Sequence, residues 1–220
     1  MKPLVIFGTG NIGQLAHFYF SKDSDYDVVA FTVDAEFMTV SEYCGLPVIP
    51  FSEVAQCYPP DRHELFAALS YAKLNQVRKE KYLAAKALGY RPASYVSSHA
   101  TILTQYPIGE NCFVLEDNTI QPFAKIGHNV TLWSGNHIGH HSVIGDHCFI
   151  SSHVVISGGV TVGESCFIGV NATLRDHIKI GDRCVVGAGA LLLSDAAPDG
   201  VFIGTATERS RVTSDRLRKV

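Results

Sequence analysis

From Ile108 onward the chain places an aliphatic residue at every sixth position: Ile108, Val114, Ile120, Ile126, Leu132, Ile138, Ile144, Ile150, Ile156, Val162, Ile168, Leu174, Ile180, Val186 and Leu192. All fifteen positions are filled, which chance cannot produce. The next position is glycine eight times, and the fifth position of each hexad is mostly small or apolar, as at Cys112, Ala124, Ser142, Cys148, Cys166, Ala172, Cys184 and Ala190. This pattern predicts a parallel β-helix. Each hexad is one short flat strand plus a corner, three hexads close a triangular coil of 18 residues, and coils stack about 4.8 Å apart through backbone hydrogen bonds. The aliphatic residue fills the interior, the fifth residue points inward where room is tight, and glycine is expected to allow the turn. The run holds five such coils with no insertion.

Residues 1–100 have another texture. LVIF reads as a buried strand, and Gly8-Thr9-Gly10-Asn11-Ile12-Gly13 leads into a helical stretch. A second strand, DVVAFTVD, ends in Asp34. LPVIP and LFAALS are further strands, and RKEKYLAAKALGY is a helix. Strands alternating with helices predict an α/β, Rossmann-like N-terminal domain with a small parallel sheet. The glycine loop lies between strand and helix, where backbone amides can cradle a phosphate. Gly8, Gly10, Asn11, Gly13 and Asp34 are therefore candidate ligands of a nucleotide or nucleotide-sugar, with Asp34 placed to accept from a ribose or base. Only one such half exists, so a complete dinucleotide site does not fit. Asn75 and Arg78 are read either as facing the ligand or as a helix cap and a surface charge. The expected domains are 1–100, the β-helix over 101–205, and a tail over 206–220.

A net charge of −3 argues against nucleic-acid or anionic-membrane binding through bulk electrostatics. No apolar run approaches the roughly 20 residues of a membrane helix, and the short apolar stretch at the N-terminus does not read as a signal peptide. A cytoplasmic location is expected. The six cysteines form no CxxC pair, and Cys148, Cys166 and Cys184 are 18 residues apart with Cys112 36 before Cys148. They read as a column of small core residues rather than metal ligands or disulfides. Seven of the ten histidines lie between 128 and 177 (His128, His137, His140, His141, His147, His153 and His177), none at an inward hexad position. All are expected to project outward or sit at corners, where an imidazole can serve as a base near neutral pH.

The hexads resemble the left-handed β-helix of hexapeptide-repeat acyltransferases, and the whole chain resembles the bacterial sugar O-acyltransferase family. That family includes sialic acid O-acetyltransferases and N-acetyltransferases of nucleotide-linked 4-amino sugars. The resemblance implies acetyl-CoA as co-substrate, no metal, a homotrimer with parallel axes, and direct transfer without a covalent enzyme intermediate. N-acetylation of a nucleotide-linked amino sugar is preferred over O-acetylation because the front domain suits a nucleotide handle. The family's His-Asp or His-Glu pair falls on His140-His141 in His140-His141-Ser142-Val143-Ile144-Gly145-Asp146. His140 thus inherits the general-base position, while His141 stands where the orienting carboxylate is usual, leaving Asp146 or a neighbouring chain to supply an acid. Trp133 replaces a common Asn, either to stack on the substrate or to pack at the trimer interface. Phe149 replaces a histidine of the acetyl site, and His137 is a rival base near the substrate. Gly158 and Ala188 match family contacts to the donor, and Arg209 or Arg211 could meet its phosphate. Two other classes stay open: a zinc-dependent hydratase on the same β-helix, and a non-catalytic nucleotide-sugar-binding scaffold.

Overall fold

A computed structural model describes residues 1–216. Residues 217–220 of the expected tail lie outside the described residues. The N-terminal part comprises β1 (Lys2–Phe7), α1 (Asn11–Lys22), β2 (Tyr26–Val33), β3 (Glu42–Tyr43), β4 (Leu46–Pro50), α2 (Val54–Cys57), β5 (Glu64–Ala67), α3 (Gln76–Ala87) and β6 (Arg91–Pro92). The sheet order is β3-β4-β2-β1-β5-β6, parallel except for the β3/β4 pair. Apolar residues of β1 are buried on both faces (Leu4, Val5, Ile6, Phe7), as a strand covered from two sides requires. α1 lays Ala16 and Phe20 on one face, while Ala85 of α3 joins the core on the other.

The C-terminal part is a three-sided prism. The first face runs from Tyr95–Val96 through Phe113, Thr131, Phe149, Phe167 and Val185 to Val201–Phe202, the second from Thr101–Ile102 to Leu191–Leu192, and the third from Lys125–Ile126 to Lys179–Ile180. Successive strands of the hexad run pair in parallel with partners 18 residues on, as in Thr119↔His137 and His137↔Val155. Within each two-residue strand of that run the second residue is the inward aliphatic one and is buried from Val114 to Leu192. Fifth-position side chains are buried too. Cys112, Cys148, Cys166 and Cys184 each direct Sγ at a carbonyl of the adjoining coil, at 3.0–3.1 Å. Burial pushes the Cys112 thiol up to about 12, and all four cysteines are core groups with no exposed surface.

The glycines after the aliphatic residue do not make the turn. Left-handed backbone instead recurs at every sixth residue from Asn111 to Gly189, three positions after each aliphatic residue, and among these are His141, His147, His153 and His177. Asn, Asp and His tolerate this conformation better than most residues. Four of the seven clustered histidines therefore sit where the corner's backbone favours them. The glycines serve close approach: a Cβ on Gly145 would lie 2.7 Å from the Gly163 carbonyl carbon in the next coil.

One of these corner histidines does not face solvent. His147 is buried beneath α3, with Tyr82 edge-on to its ring. It ends a ladder in which Asn111 Oδ1 accepts from the Ala67 amide (2.8 Å), Asn111 Nδ2 donates to Asn129 Oδ1 (2.8 Å), and Asn129 Nδ2 donates to His147 Nδ1 (2.9 Å). Burial lowers the His147 pKa from its ordinary value. Asn75 and Arg78 are neither ligand-facing nor exposed. Asn75 stands at the N-cap position of α3 in left-handed backbone with no side-chain capping bond, and instead donates Nδ2 to the carbonyls of Ser165 (3.3 Å) and Cys166 (3.1 Å). Arg78 is buried and donates to Thr131 Oγ1 and to the carbonyls of Asn129, His147 and Cys148 at 2.9–3.2 Å. Both residues bolt the sheet domain to the first face of the prism.

A second bolt lies at the end of α1. Asp23 accepts from Tyr95 Oη (2.7 Å), the Ser98 amide (2.9 Å) and Ser97 Oγ (3.4 Å). These bonds, led by that from Tyr95, hold its carboxyl down at about 2. The folded value lies below the unfolded one, so the contribution is full above about pH 4 and is lost as pH falls toward 2. Asp23→Asn should therefore melt below wild type at pH 5, with the gap closing by pH 2. A gap that stays constant in melts across this range would refute the assignment.

Candidate functional site

Two regions collect the candidate residues. The first is a cavity of about 680 Å³ beyond the carboxyl ends of β1, β2 and β5, lined by Phe7–Ile12, Val33, Asp34, Phe37 and Ala68–Ala72. It sits where the strand order reverses around β1, the usual ligand position in open parallel sheets. Gly8 adopts φ +119°, and a Cβ there would press to 2.7 Å on the Ala68 carbonyl oxygen. α1 begins without a side-chain cap at Gly10, and its first ladder bond is Gln14 N–H to Gly10 O. The amides of Asn11, Ile12 and Gly13 thus open the helix with no acceptor inside it. Gly8, Gly10, Asn11 and Asp34 all line the cavity. Gly13 does not: it is buried, and a Cβ on it would collide with the Gly8 carbonyl. Its part is to let the helix sit close under the loop.

Asp34 is ion-paired to Lys81 of α3 at 2.6 Å, and that ammonium also lies 5.4 Å from the Phe7 ring centroid. The exposed Phe37 and the Ser70–Tyr71 pair line the cavity, and Lys81 pairs with its Asp34; sequence reasoning missed all four. The signal for Ser70 and Tyr71 was available, since residues just past a strand neighbouring β1 must flank its glycine loop.

The second region is the corner between the second and third faces. His140 is exposed there, with its amide donating to Gln121 Oε1 (2.9 Å) and its Nδ1 3.2 Å from Nδ1 of His141. The His141 ring lies on Phe123 with centroids 4.6 Å apart. Gly158 occupies the same corner one coil on. A Cβ there would fall 2.6 Å from His140 Nε2, so glycine gives the imidazole its seat. The Gly158 amide has no acceptor among the described residues. His140 and Gly158 are thus brought together, whereas Ala188 lies exposed at the corner between the first and second faces. His137 faces outward on the second face between Thr119 and Val155.

Asp146 does not replace the missing carboxylate. Its Oδ1 accepts from the His128 amide (2.7 Å) at a different corner, and no carboxylate pairs with His140 among the described residues. Trp133 packs against the front-domain core and near Phe149, with its indole N–H buried and without a partner. Phe149 is buried between Trp133, Tyr71 and Phe167. No group of three His, Cys, Asp or Glu side chains with the geometry of a metal site occurs among the described residues. The cavity and His140 stand apart within one chain. The front domain covers the first face through Tyr71, Phe113 and Arg78, and His140 occupies the opposite edge.

A model of the bacterial transferase hexapeptide (six repeats) matches residues 123–158 and 159–194. A search of curated proteins finds no match. Among solved structures, the chain is similar to PerB from Caulobacter crescentus in complex with CoA and GDP-perosamine, at 22% identity over 93% of this chain and 95% of that one, with a TM-score of 0.81. It is similar to the acetyltransferase domain of PglB from Neisseria gonorrhoeae (23% identity, 91% and 95% covered, TM-score 0.79) and to WeeI from Acinetobacter baumannii (20%, 93% and 97%, 0.78). These likenesses extend over both parts of the fold. Residues 123–194 thus carry the repeat of the bacterial transferase hexapeptide, in a parallel β-helix joined to an N-terminal parallel sheet.

Proposed function

We propose that this protein is an acetyl-CoA-dependent N-acetyltransferase acting on a nucleotide-linked amino sugar. The observation that carries this reading is the presence, in one chain, of a phosphate-ready cavity on the sheet and an exposed imidazole seated on a glycine of the prism. The front domain is read as one Rossmann-like half and the hexad run as five coils. Solved proteins of the same fold support the substrates, since a perosamine N-acetyltransferase from Caulobacter crescentus was crystallised with CoA and GDP-perosamine. The PglB domain was likewise crystallised with acetyl coenzyme A.

Because His140 lies opposite the face that the front domain covers, the reading requires a second copy to complete the site. Val155 and Leu191 expose apolar surface on the second face, and a homotrimer with parallel axes would cover it. Acetyl-CoA would lie in the groove between prisms, against the corners of Gly158 and Ala188. The nucleotide would bind over the glycine loop and Asp34, with Trp133 and His137 on the sugar's side. His140 Nε2 takes the proton of the attacking amine, and the amide of Gly158 holds the oxyanion. The carbon–sulfur bond then breaks, and coenzyme A leaves as the thiol with the proton from His140. No helix among the described residues is long and apolar enough to cross a membrane, and both substrates would be met in the cytoplasm. Thiol release from acetyl-CoA should depend on an added amino sugar such as GDP-perosamine or its UDP or dTDP counterparts, and sedimentation should give three chains. A monomer, or no acceptor-dependent thiol from any of these sugars, would overturn the proposal.

A further inference from the structure

We propose that His141 is a positioning residue, a neutral imidazole that fixes the proton of His140 on Nδ1 and so leaves Nε2 free as the base. This rests on the acetyl-transfer reading above. The two Nδ1 atoms are 3.2 Å apart with the rings nearly perpendicular, at 85°. Two bare lone pairs would repel at that separation, so one nitrogen carries a hydrogen. If His140 carries it, Nδ1–H donates to His141 and the lone pair on Nε2 faces the Gly158 corner. The opposite assignment would put a hydrogen on Nε2 and leave no base where the thioester would lie.

The surroundings hold His141 in place for this task. Its ring is laid on Phe123, and its backbone takes the left-handed conformation at φ 59°. Its amide donates to the Pro122 carbonyl (3.2 Å), while the His140 amide is tied to Gln121. Asp146 is engaged at another corner, so among the described residues the imidazole of His141 is the acceptor that His140 has. Orientation of a catalytic imidazole through its second nitrogen is a general device, and loss of the right tautomer alone lowers turnover steeply.

The left-handed backbone at 141 allows a test that spares the fold, because Asn and Gly both accept that conformation. His141→Asn keeps an acceptor, Oδ1, near the position of Nδ1; His141→Gly removes it. With acetyl-CoA and GDP-perosamine as probes, His141→Gly should lose about 10²-fold in kcat with KM for acetyl-CoA unchanged, and His141→Asn should stay close to wild type. Nitrogen-15 NMR of the imidazoles, with His140 assigned through His140→Gln, should show Nδ1–H and bare Nε2 in wild type and in His141→Asn. In His141→Gly it should show a shift toward Nε2–H. The same His140 tautomer in all three proteins, or an Asn variant as impaired as the Gly variant, would overturn the proposal. An unreactive wild type with the Nδ1–H tautomer intact would uphold the pair and overturn the acetyl-transfer reading instead.

Discussion

Arg78→Met is expected to lower the melting temperature by about 5–15 °C, the equivalent of about 2–4 kcal/mol in a chain of this size. The guanidinium is buried and still cationic at neutral pH, although burial has pushed it down to about 10. It donates to three carbonyls of two successive coils. The Cys148 carbonyl also receives the Thr131 amide, but those of Asn129 and His147 have no other donor among the described residues. Methionine would fill the volume and relieve the desolvation of a charge, yet it strands two buried acceptors, and the second effect should win. Arg78→Lys should not restore stability, since the shorter lysine ends about one bond before Nη2, which alone meets the three carbonyls, and has no second nitrogen for Thr131 Oγ1. A Met variant melting within about a degree of wild type would show that the carbonyls find water and that the bolt is dispensable.

That bolt also marks the limit of what the chain spells out. The prism was legible because its interior admits one aliphatic side chain per strand, and Val114 through Leu192 obey that constraint six residues at a time. The glycine loop was legible because Gly8 needs positive φ and Gly13 needs the absence of a Cβ, each a local demand. The corners were not read correctly. Their left-handed position accepts Asn, Asp, His, Ser, Phe, Arg or Gly, so no single letter announced it, and the neighbouring glycines were credited with a turn they only make room for. Arg78, Asn75, His147 and Trp133 were opaque for another reason. Arg78, Asn75 and His147 are buried, and Trp133 partly so, by a surface from the other domain, between 51 and 91 residues away in the hydrogen bonds of Arg78 and Asn75, and nothing in the local pattern of α3 separates a bolt from a solvated charge.

His140→Ala should lower kcat for acetyl transfer by about 10²–10⁴-fold, the span a positioned general base supplies, while leaving the oligomer and the KM for acetyl-CoA near wild type. The side chain is exposed and, among the described residues, its imidazole makes one hydrogen bond, to His141, so its removal opens no core cavity. The chemistry explains why the loss should fall on kcat. A neutral amine attacking a thioester gains positive charge as the bond forms, and without a base at Nε2 that proton must leave to bulk water. The Gly158 amide and the cavity over the glycine loop remain in the variant, so under the proposed function both substrates should still bind and still raise its melting temperature. The split between intact binding and lost turnover separates a base from a ligand contact, because a contact used equally in ground and transition states would raise KM instead. Wild-type turnover in His140→Ala would move the base elsewhere, with His137 on the adjoining face the next residue to replace.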